Sequence, residues 1–468
     1  MPSRVLLVSA NRYEVPYPVF PLGLSHVHAA LRSAGHATRW FDCLADAEPL
    51  ESALDDFAPE IVGISIRNID DVAFRKRESF HAFAVDLCTR IRARASARIV
   101  LGGSGFSIFP EAMLTRSGAD FGIQGEGEAS LLSLLAALEA GVDPDSIPGL
   151  VFRDGAGVVR ANPQRPGRAS WPLEAEDRPQ RLVDHYLARS SMLNVQTQRG
   201  CAFECCYCTY PLIEGARLRR RPPEVVAEDL AGLAARGARY VSFVDSVFNS
   251  TPTHVIETCE AILRRGVEIK WGCFLRPRDL TAAQMDLMAR AGLAHVEFGS
   301  DSFSDRVLRA YGKSFSFADI RRSAELTHAA RIEQCHFLIL GGVGETPETL
   351  EETLSADLGV PGAVVLPVTG MRVYPGTALF EQAVREGVLA RDADLLEPLH
   401  YLAPGFSADA IAGRLAEHVR THPHWIVGDP PATFGKLVER LRLRGVLGPL
   451  WTYFALIQRL PSLPQVRS

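Results

Sequence analysis

The chain has 468 residues, 50 lysines and arginines against 55 aspartates and glutamates, a net charge of −5 at pH 7, and 47% hydrophobic residues. This is the composition of a globular protein and excludes a disordered one. The mildly acidic balance argues against a chain built to neutralise phosphates, so nucleic acid is not an expected partner. Roughly 100–200 residues per domain predicts two to four domains.

In chain order, residues 4–10 read as a buried strand. The apolar run is too short for a signal-peptide core and no run of about 18 apolar residues follows anywhere, so neither a leader nor a membrane span is expected and the cytoplasm is the default. Residues 22–34 have helical apolar spacing and stop at Gly35. His26 and His28 fall on this helix and read as packing or surface residues. Strands are expected at 36–42, 60–66, 98–101 and 120–123, with a helix over 80–94. Strands alternating with helices predict a doubly wound parallel sheet over 1–142. Residues 143–190 are punctuated by prolines, including Pro163, Pro166, Pro172 and Pro179, and read as a small β element and linker.

A second strand–helix series occupies 191–395. Its strands are expected at 193–198, 240–245, 269–274, 295–299, 334–340 and 362–368, with helices over 223–235, 253–264, 282–291 and 317–330. Six such units are too few for an eight-stranded barrel and suit a partial one. Residues 396–468 read as helical. Within them, 437–460 is apolar and carries Arg440, Arg442 and Arg444. It reads as a helix over the barrel mouth or, alternatively, as an interfacial segment meeting a membrane or lipid-like substrate.

Nine cysteines are present, and four of them fall within Cys201-Ala-Phe-Glu-Cys205-Cys206-Tyr-Cys208. Clustered, odd-numbered cysteines in a long chain point to metal or cluster ligation, not to a disulfide framework. The C-x₃-C-x₂-C spacing puts three thiolates on one short loop after a predicted strand, behind Gln198-Arg-Gly200. Three thiolates can hold three irons of a [4Fe–4S] cluster and leave the fourth open. Electron-transfer ferredoxins supply four. A structural zinc site would need a fourth ligand, which no nearby residue offers. Cys206 is the member the spacing does not use. Cys43, Cys88, Cys259, Cys273 and Cys335 sit in apolar contexts and read as packing residues.

This spacing, with Tyr207 before the last cysteine, resembles the radical S-adenosylmethionine (SAM) superfamily. The resemblance implies that SAM chelates the open iron and is cleaved to a 5′-deoxyadenosyl radical. Further segments resemble that family's SAM contacts. Asp245 and Asn249, in Phe243-Val-Asp245-Ser246-Val-Phe-Asn249, stand where the family often has Gly-Gly-Glu, and would meet the SAM amino group. Asp301, in Gly299-Ser-Asp301-Ser302, would meet the ribose. Gly341 and Gly342 would lie near adenine. Tyr374-Pro-Gly-Thr377 resembles the family's closing motif.

Residues 1–140 resemble the cobalamin-binding domain fused ahead of some radical SAM domains, through Phe20-Pro-Leu-Gly23, the turn at Ala34-Gly-His36, Gly102-Gly103 and Gly125-Glu-Gly-Glu128. The corrinoid contacts this implies are Ser65, Arg67, Asn68, Gly102, Gly103, Gly125 and Glu126. Residues 11–21 contain no histidine to ligate cobalt from below. Arg67 and Asn68 are the candidates for that face, with a surface ion pair from Arg67 to Asp70 or Asp71 as the plain alternative. Arg217-Leu-Arg-Arg-Arg221 reads as a solvated strip or as an anion site for a substrate.

The resemblance implies a cobalamin-dependent radical SAM enzyme, most often a methyltransferase acting on an unactivated carbon of a small-molecule or lipid-like substrate. Its cofactors would be a [4Fe–4S] cluster, SAM and cobalamin, and a flavodoxin- or ferredoxin-type protein would supply electrons. A radical rearrangement or cyclisation with the same cofactors, and a non-catalytic corrinoid or iron–sulfur carrier, are the alternatives.

Overall fold

Five parallel strands begin the chain: β1 (Arg4–Ser9), β2 (Ala37–Asp42), β3 (Ile61–Ser65), β4 (Arg98–Gly102) and β5 (Phe121–Ile123). They lie in the order β2-β1-β3-β4-β5. Residues 5–8 are buried without alternation, as helices on both faces of a parallel sheet require. The strand order turns back between β1 and β3, and the crevice beyond the carboxyl ends at such a point is where ligands bind.

The sheet does not stop at 142. β6 (Leu150–Arg153) and β7 (Val159–Ala161) add to β5 antiparallel, covering an edge that would otherwise expose unpaired backbone groups. The small β element expected beyond 142 therefore completes the first sheet. Most of the expected linker that follows is also structured. Pro179 precedes a helix, Gln180–Ser190, whose Leu182, Val183 and Tyr186 are buried. Proline marked a helix start here, where its missing N–H costs nothing.

The computed structural model describes residues 2–14, 17–74, 78–165, 167, 173–361, 363–428, 440–442, 444 and 447–453. Pro166, Pro172 and most of the expected 437–460 segment lie outside them.

The second sheet is wholly parallel. β8 (Leu193–Val195) is followed by a short antiparallel ribbon, β9 (Gln198–Arg199) with β10 (Arg219–Arg220). Then come β11 (Tyr240–Phe243), β12 (Lys270–Leu275), β13 (Leu293–Asp301), β14 (Glu333–Leu340) and β15 (Val364–Thr369). Their order, β8-β11-β12-β13-β14-β15, is that of a six-stranded partial barrel. The intervening helices start at sequence signals: Thr251 caps Pro252–Arg265, and Ser316 forms a capping box on Phe317–Ala329. A last hairpin pairs β16 (Met371–Arg372) with β17 (His400–Tyr401). Beyond 396, the described residues include one α-helix of several turns, Ala408–His418. Among the described residues no helix is long and apolar enough to cross a membrane.

The two sheets are clamped together. Arg372 of β16 meets Asp70, after β3, at 2.8 Å, both side chains nearly inaccessible. Asp70 is thus engaged by Arg372 and not by Arg67.

Candidate functional site

A cavity of about 520 Å³ lies beyond the carboxyl ends of β1, β3, β4 and β5 and reaches Asn194, Gln196 and Arg199 of the barrel. Ser65, Arg67, Asn68, Gly102, Gly103, Gly125 and Glu126 all line it. Gly103 has φ +95°, and a Cβ there would stand 2.6 Å from the Ile66 carbonyl oxygen. Only glycine lets this turn pass so close under the cavity. Gly105 N–H donates to the same carbonyl at 2.9 Å, which fixes the loop carrying Arg67.

Arg67 projects into this space. Among the described residues it has no ion pair: Asp70 is taken by Arg372, and Asp71 accepts from the N–H groups of Ala73 and Glu78. The surface-pair alternative for Arg67 is therefore not the one adopted. Its side chain stays open to the cleft; the protein around it lowers its pKa, and Tyr210, Tyr17 and Tyr186 nearby oppose that. A wide, glycine-edged cleft, with Arg67 unpaired among the described residues and His26 buried in its wall, fits a large flat ligand.

Glu126 is placed differently from a simple ligand contact. It pairs with Arg219 and, at 3.0 Å, with Arg199, while Glu128 takes Arg199 at 2.6 Å. Both carboxylates thus tie the loop after β5 to the ribbon before Cys201. Of the arginines at 217–221, Arg217 is exposed and Arg220 half-buried, while the other two are not solvated. Arg219 and Arg221 are buried. Arg221 and Arg178 share Asp229 at 3.0 and 2.8 Å, a packed ion triad with no free cation for a substrate anion.

The cysteine loop sits at the carboxyl end of β8. Cys201 N–H donates to the Gly215 carbonyl, Cys206 N–H to that of Tyr311, and Leu379 N–H to that of Cys206. Gly312, with φ +75°, approaches so that a Cβ would stand 2.5 Å from the Glu204 carbonyl oxygen. Burial raises the pKa of Cys205 and of Cys208, and the neighbouring thiols add to it: Cys201 for Cys205, and Cys205 with Cys201 for Cys208. Among the described residues, no three Cys, His, Asp or Glu side chains converge on a single metal ion. A lone zinc ion needs such convergence. Three thiolates on one loop suit a cluster in which each of three irons takes one thiolate. Cys206 instead packs against the core shared by the two sheets.

Around this loop is a feature sequence reading missed. Lys313 is buried, pairs with Asp301 at 2.5 Å, and donates to the Tyr207 hydroxyl at 3.2 Å. Tyr207 in turn donates to Asp301 at 2.5 Å. Lys313 also hydrogen-bonds Cys205. Asp301 takes φ +61° at a register shift between β13 and β14, a conformation Asp tolerates better than most residues. The one available signal was composition. Only four of the 50 basic residues are lysines, at 76, 270, 313 and 436.

The other expected SAM contacts are engaged within the chain. Asp245 accepts from the N–H groups of Thr197 and Gln198 at 2.7 and 3.1 Å and from the Thr197 hydroxyl. Burial nevertheless pushes its pKa up to about 7. Asn249 accepts from Arg276 N–H and donates to the Arg276 and Arg278 carbonyls. Both residues staple strand ends and loops of the barrel's upper rim. Gly341 N–H donates to Glu345. Burial lifts Glu345 to about 7, and its other oxygen has no partner.

Known proteins align with both halves. The family model described as B12 binding domain matches residues 8–135, and that of the radical SAM superfamily matches residues 195–356. Tryptophan 2-C-methyltransferase of Streptomyces laurentii is 24% identical, over 79% of this chain and 73% of its own. An uncharacterised methyltransferase of Pyrococcus horikoshii is 27% identical over 79% of each chain. The solved structure of the radical SAM methyltransferase TsrM from Kitasatospora setae, with cobalamin and a [4Fe–4S] cluster bound, superposes with a TM-score of 0.84 at 23% identity, covering 98% of both chains.

Proposed function

Because the chain belongs to the radical SAM superfamily and carries a B12-binding domain ahead of its barrel, we propose that it is a cobalamin-dependent radical SAM methyltransferase. It transfers a methyl group to an unactivated carbon of a small molecule. The observation that carries this reading is the juxtaposition of the two sites: the cavity holding Arg67 also touches Arg199, two residues before Cys201.

When bound, the reduced cluster supplies the electron that cleaves SAM to a 5′-deoxyadenosyl radical, and the corrinoid supplies the methyl group. The chain's residues do the rest. Cys201, Cys205 and Cys208 ligate three irons. Lys313 offsets thiolate charge at Cys205 and is held there by Asp301 and Tyr207. Gly341 and Gly342 keep backbone close to the adenine side, fixed by Glu345. Asp245 and Asn249 act through the loops they hold, as positioning residues. Ser65, Asn68, Gly102, Gly103 and Gly125 shape the corrinoid cleft. Arg67 would meet the bound corrinoid as a cation that cannot coordinate it.

A flavodoxin- or ferredoxin-type donor in the cytoplasm is the reductant this chemistry needs. The apolar cavity walls also suit a lipid-like substrate.

The test is anaerobic reconstitution with iron, sulfide and cobalamin, followed by assay of SAM cleavage and of product mass with candidate substrates. A gain of one CH₂ supports the reading. SAM cleavage that persists in a Cys201/Cys205/Cys208→Ala triple variant overturns it, and a product of unchanged carbon count moves the protein to the rearrangement or cyclisation class. For Arg67, the visible spectrum of the cobalamin-loaded protein is compared with that of Arg67→Ala. An identical lower-axial state in both removes that role.

A further inference from the structure

The concave face of the barrel is built from residues that pair across neighbouring strands, since paired residues in a parallel sheet share a face. Phe274 of β12 pairs with Glu297 of β13, and Glu297 with Cys335 of β14. Phe337 pairs with Leu366 of β15, and Ile339 with Val368. The rings of Phe274 and Phe337 come within 6.2 Å although a strand separates theirs. They therefore lean together over the inside of a curved sheet. Phe274 is 37% exposed and Val368 53% exposed. Phe274 is on an inner strand, where a large apolar side chain stays that open only if the space in front of it is unfilled, and Val368 continues the same face onto the edge strand β15.

One charge faces this apolar surface. Glu297 accepts a hydrogen bond from Trp451 Nε1 at 2.9 Å, and among the described residues that is its one hydrogen bond. Trp451 itself is buried and packs edge-on against His295, one inward-facing position lower on β13. Trp451 thus closes the barrel below Glu297, and among the described residues the second carboxylate oxygen of Glu297 has no hydrogen bond. Burial raises the Glu297 pKa to about 7, the Trp451 bond opposing it. No element of the cofactor sites uses this group. Glu297 lies four residues below Asp301 on the same strand, about 13 Å at the usual rise. A small molecule can span from the cluster loop to Glu297.

We propose that this lumen is the substrate site and that it selects a small, ring-bearing apolar molecule carrying one N–H or O–H, which donates to Glu297. The apolar body lies against Phe274, Phe337, Leu366 and Val368, and the donor fixes which carbon is presented at the upper rim. Glu297 is a specificity-determining residue in this scheme. A buried carboxylate oxygen left unpaired by a donor-free analogue costs far more than a lost methylene contact would.

The inference rests on the enzyme reading above, but its test needs no turnover. Fluorescence titration of the cofactor-loaded protein compares 1-naphthol, which has a donor, with 1-methoxynaphthalene, which has none. The expected result is about tenfold tighter binding of 1-naphthol, the effect of one charge-assisted hydrogen bond. Glu297→Leu brings the ratio to about one, and Glu297→Gln, which keeps an accepting oxygen, restores a preference. Cluster absorbance serves as the check that each variant is folded. Equal affinities in the unsubstituted protein, absence of binding by either probe, or a preference that survives in Glu297→Leu overturns the proposal. Failure of SAM cleavage overturns the enzyme reading instead, so the two failures are distinguishable.

Discussion

Arg199 donates to Glu128 at 2.6 Å and so joins the glycine loop beside the cavity to the residue two places before Cys201. Glu126 reinforces the link by pairing with both Arg199 and Arg219. The corrinoid-type sheet and the cysteine loop are therefore held in register by charges that are 7% exposed on Arg199 and 5% on Arg219. Losing one partner of a buried pair leaves the other charge uncompensated, at a cost of about 3–5 kcal/mol. Arg199→Met is expected to destabilise the protein by about 3 kcal/mol and to weaken cobalamin binding. Thermal unfolding with and without cobalamin checks this. An unchanged melting temperature means the network contributes nothing.

Lys313 places a cation between Asp301 and Cys205. A positive charge and a hydrogen bond near a cluster sulfur favour the reduced state. Lys313→Met is therefore expected to move the cluster potential to more negative values and to destabilise the chain through the stranded Asp301 carboxylate. Adding Asp301→Asn recovers stability without recovering the potential. A redox titration followed by electron paramagnetic resonance reads the first effect, and unfolding reads the second. A potential that does not move assigns Lys313 to packing alone.

Asp245 sets a pH dependence whose sign is unusual for an aspartate. Burial raises its folded-state pKa to about 7, above its unfolded value, despite the bonds from Thr197 and Gln198. The folded protein then holds a proton that the unfolded chain has lost. Its contribution is full below about pH 4 and declines as pH rises toward 7, by up to about 1.4 kcal/mol per pH unit. Asp245→Asn mimics the protonated form. It is expected to match the natural protein at pH 4 and to exceed it in stability at pH 8. Urea unfolding at the two values decides. A parallel pH profile in both proteins would show that Asp245 is ionised in the fold.

Much of this was legible in the sequence because its periodic signals are strong. Unbroken apolar runs such as residues 5–8, alternating with helical patterns, point to a parallel sheet buried on both faces, and C-x₃-C-x₂-C is a local motif needing no long-range contact. Glycines 103 and 125 were legible because close approach and a left-handed backbone leave a mark on residue type. What escaped was set by partners far away in the chain. Lys313 gains its meaning from Asp301 and Tyr207, and Glu297 from Trp451, 154 residues later. Asp245 and Asn249 look like free polar ends of a strand until the loops at 197–198 and 276–278 close onto them. The arginines at 219 and 221 look solvated until Glu126 and Asp229 arrive.

The four clustered cysteines give a last, discriminating prediction. Cys206 is backbone-bonded on both sides, to Tyr311 and Leu379, and its side chain packs with Tyr207 against the shared core. Packed there, it is not one of the three cysteines proposed to hold the cluster. Cys206→Ala removes one small packing group, so it is expected to cost about 1 kcal/mol and to keep the iron and sulfide content of the reconstituted protein. Cys201→Ala, Cys205→Ala and Cys208→Ala each remove a ligand and are expected to lose the cluster's visible absorbance. Iron analysis of the four single variants, reconstituted side by side, separates the two classes. If Cys206→Ala loses iron while one of the other three keeps it, the ligand assignment in the loop is wrong by that residue.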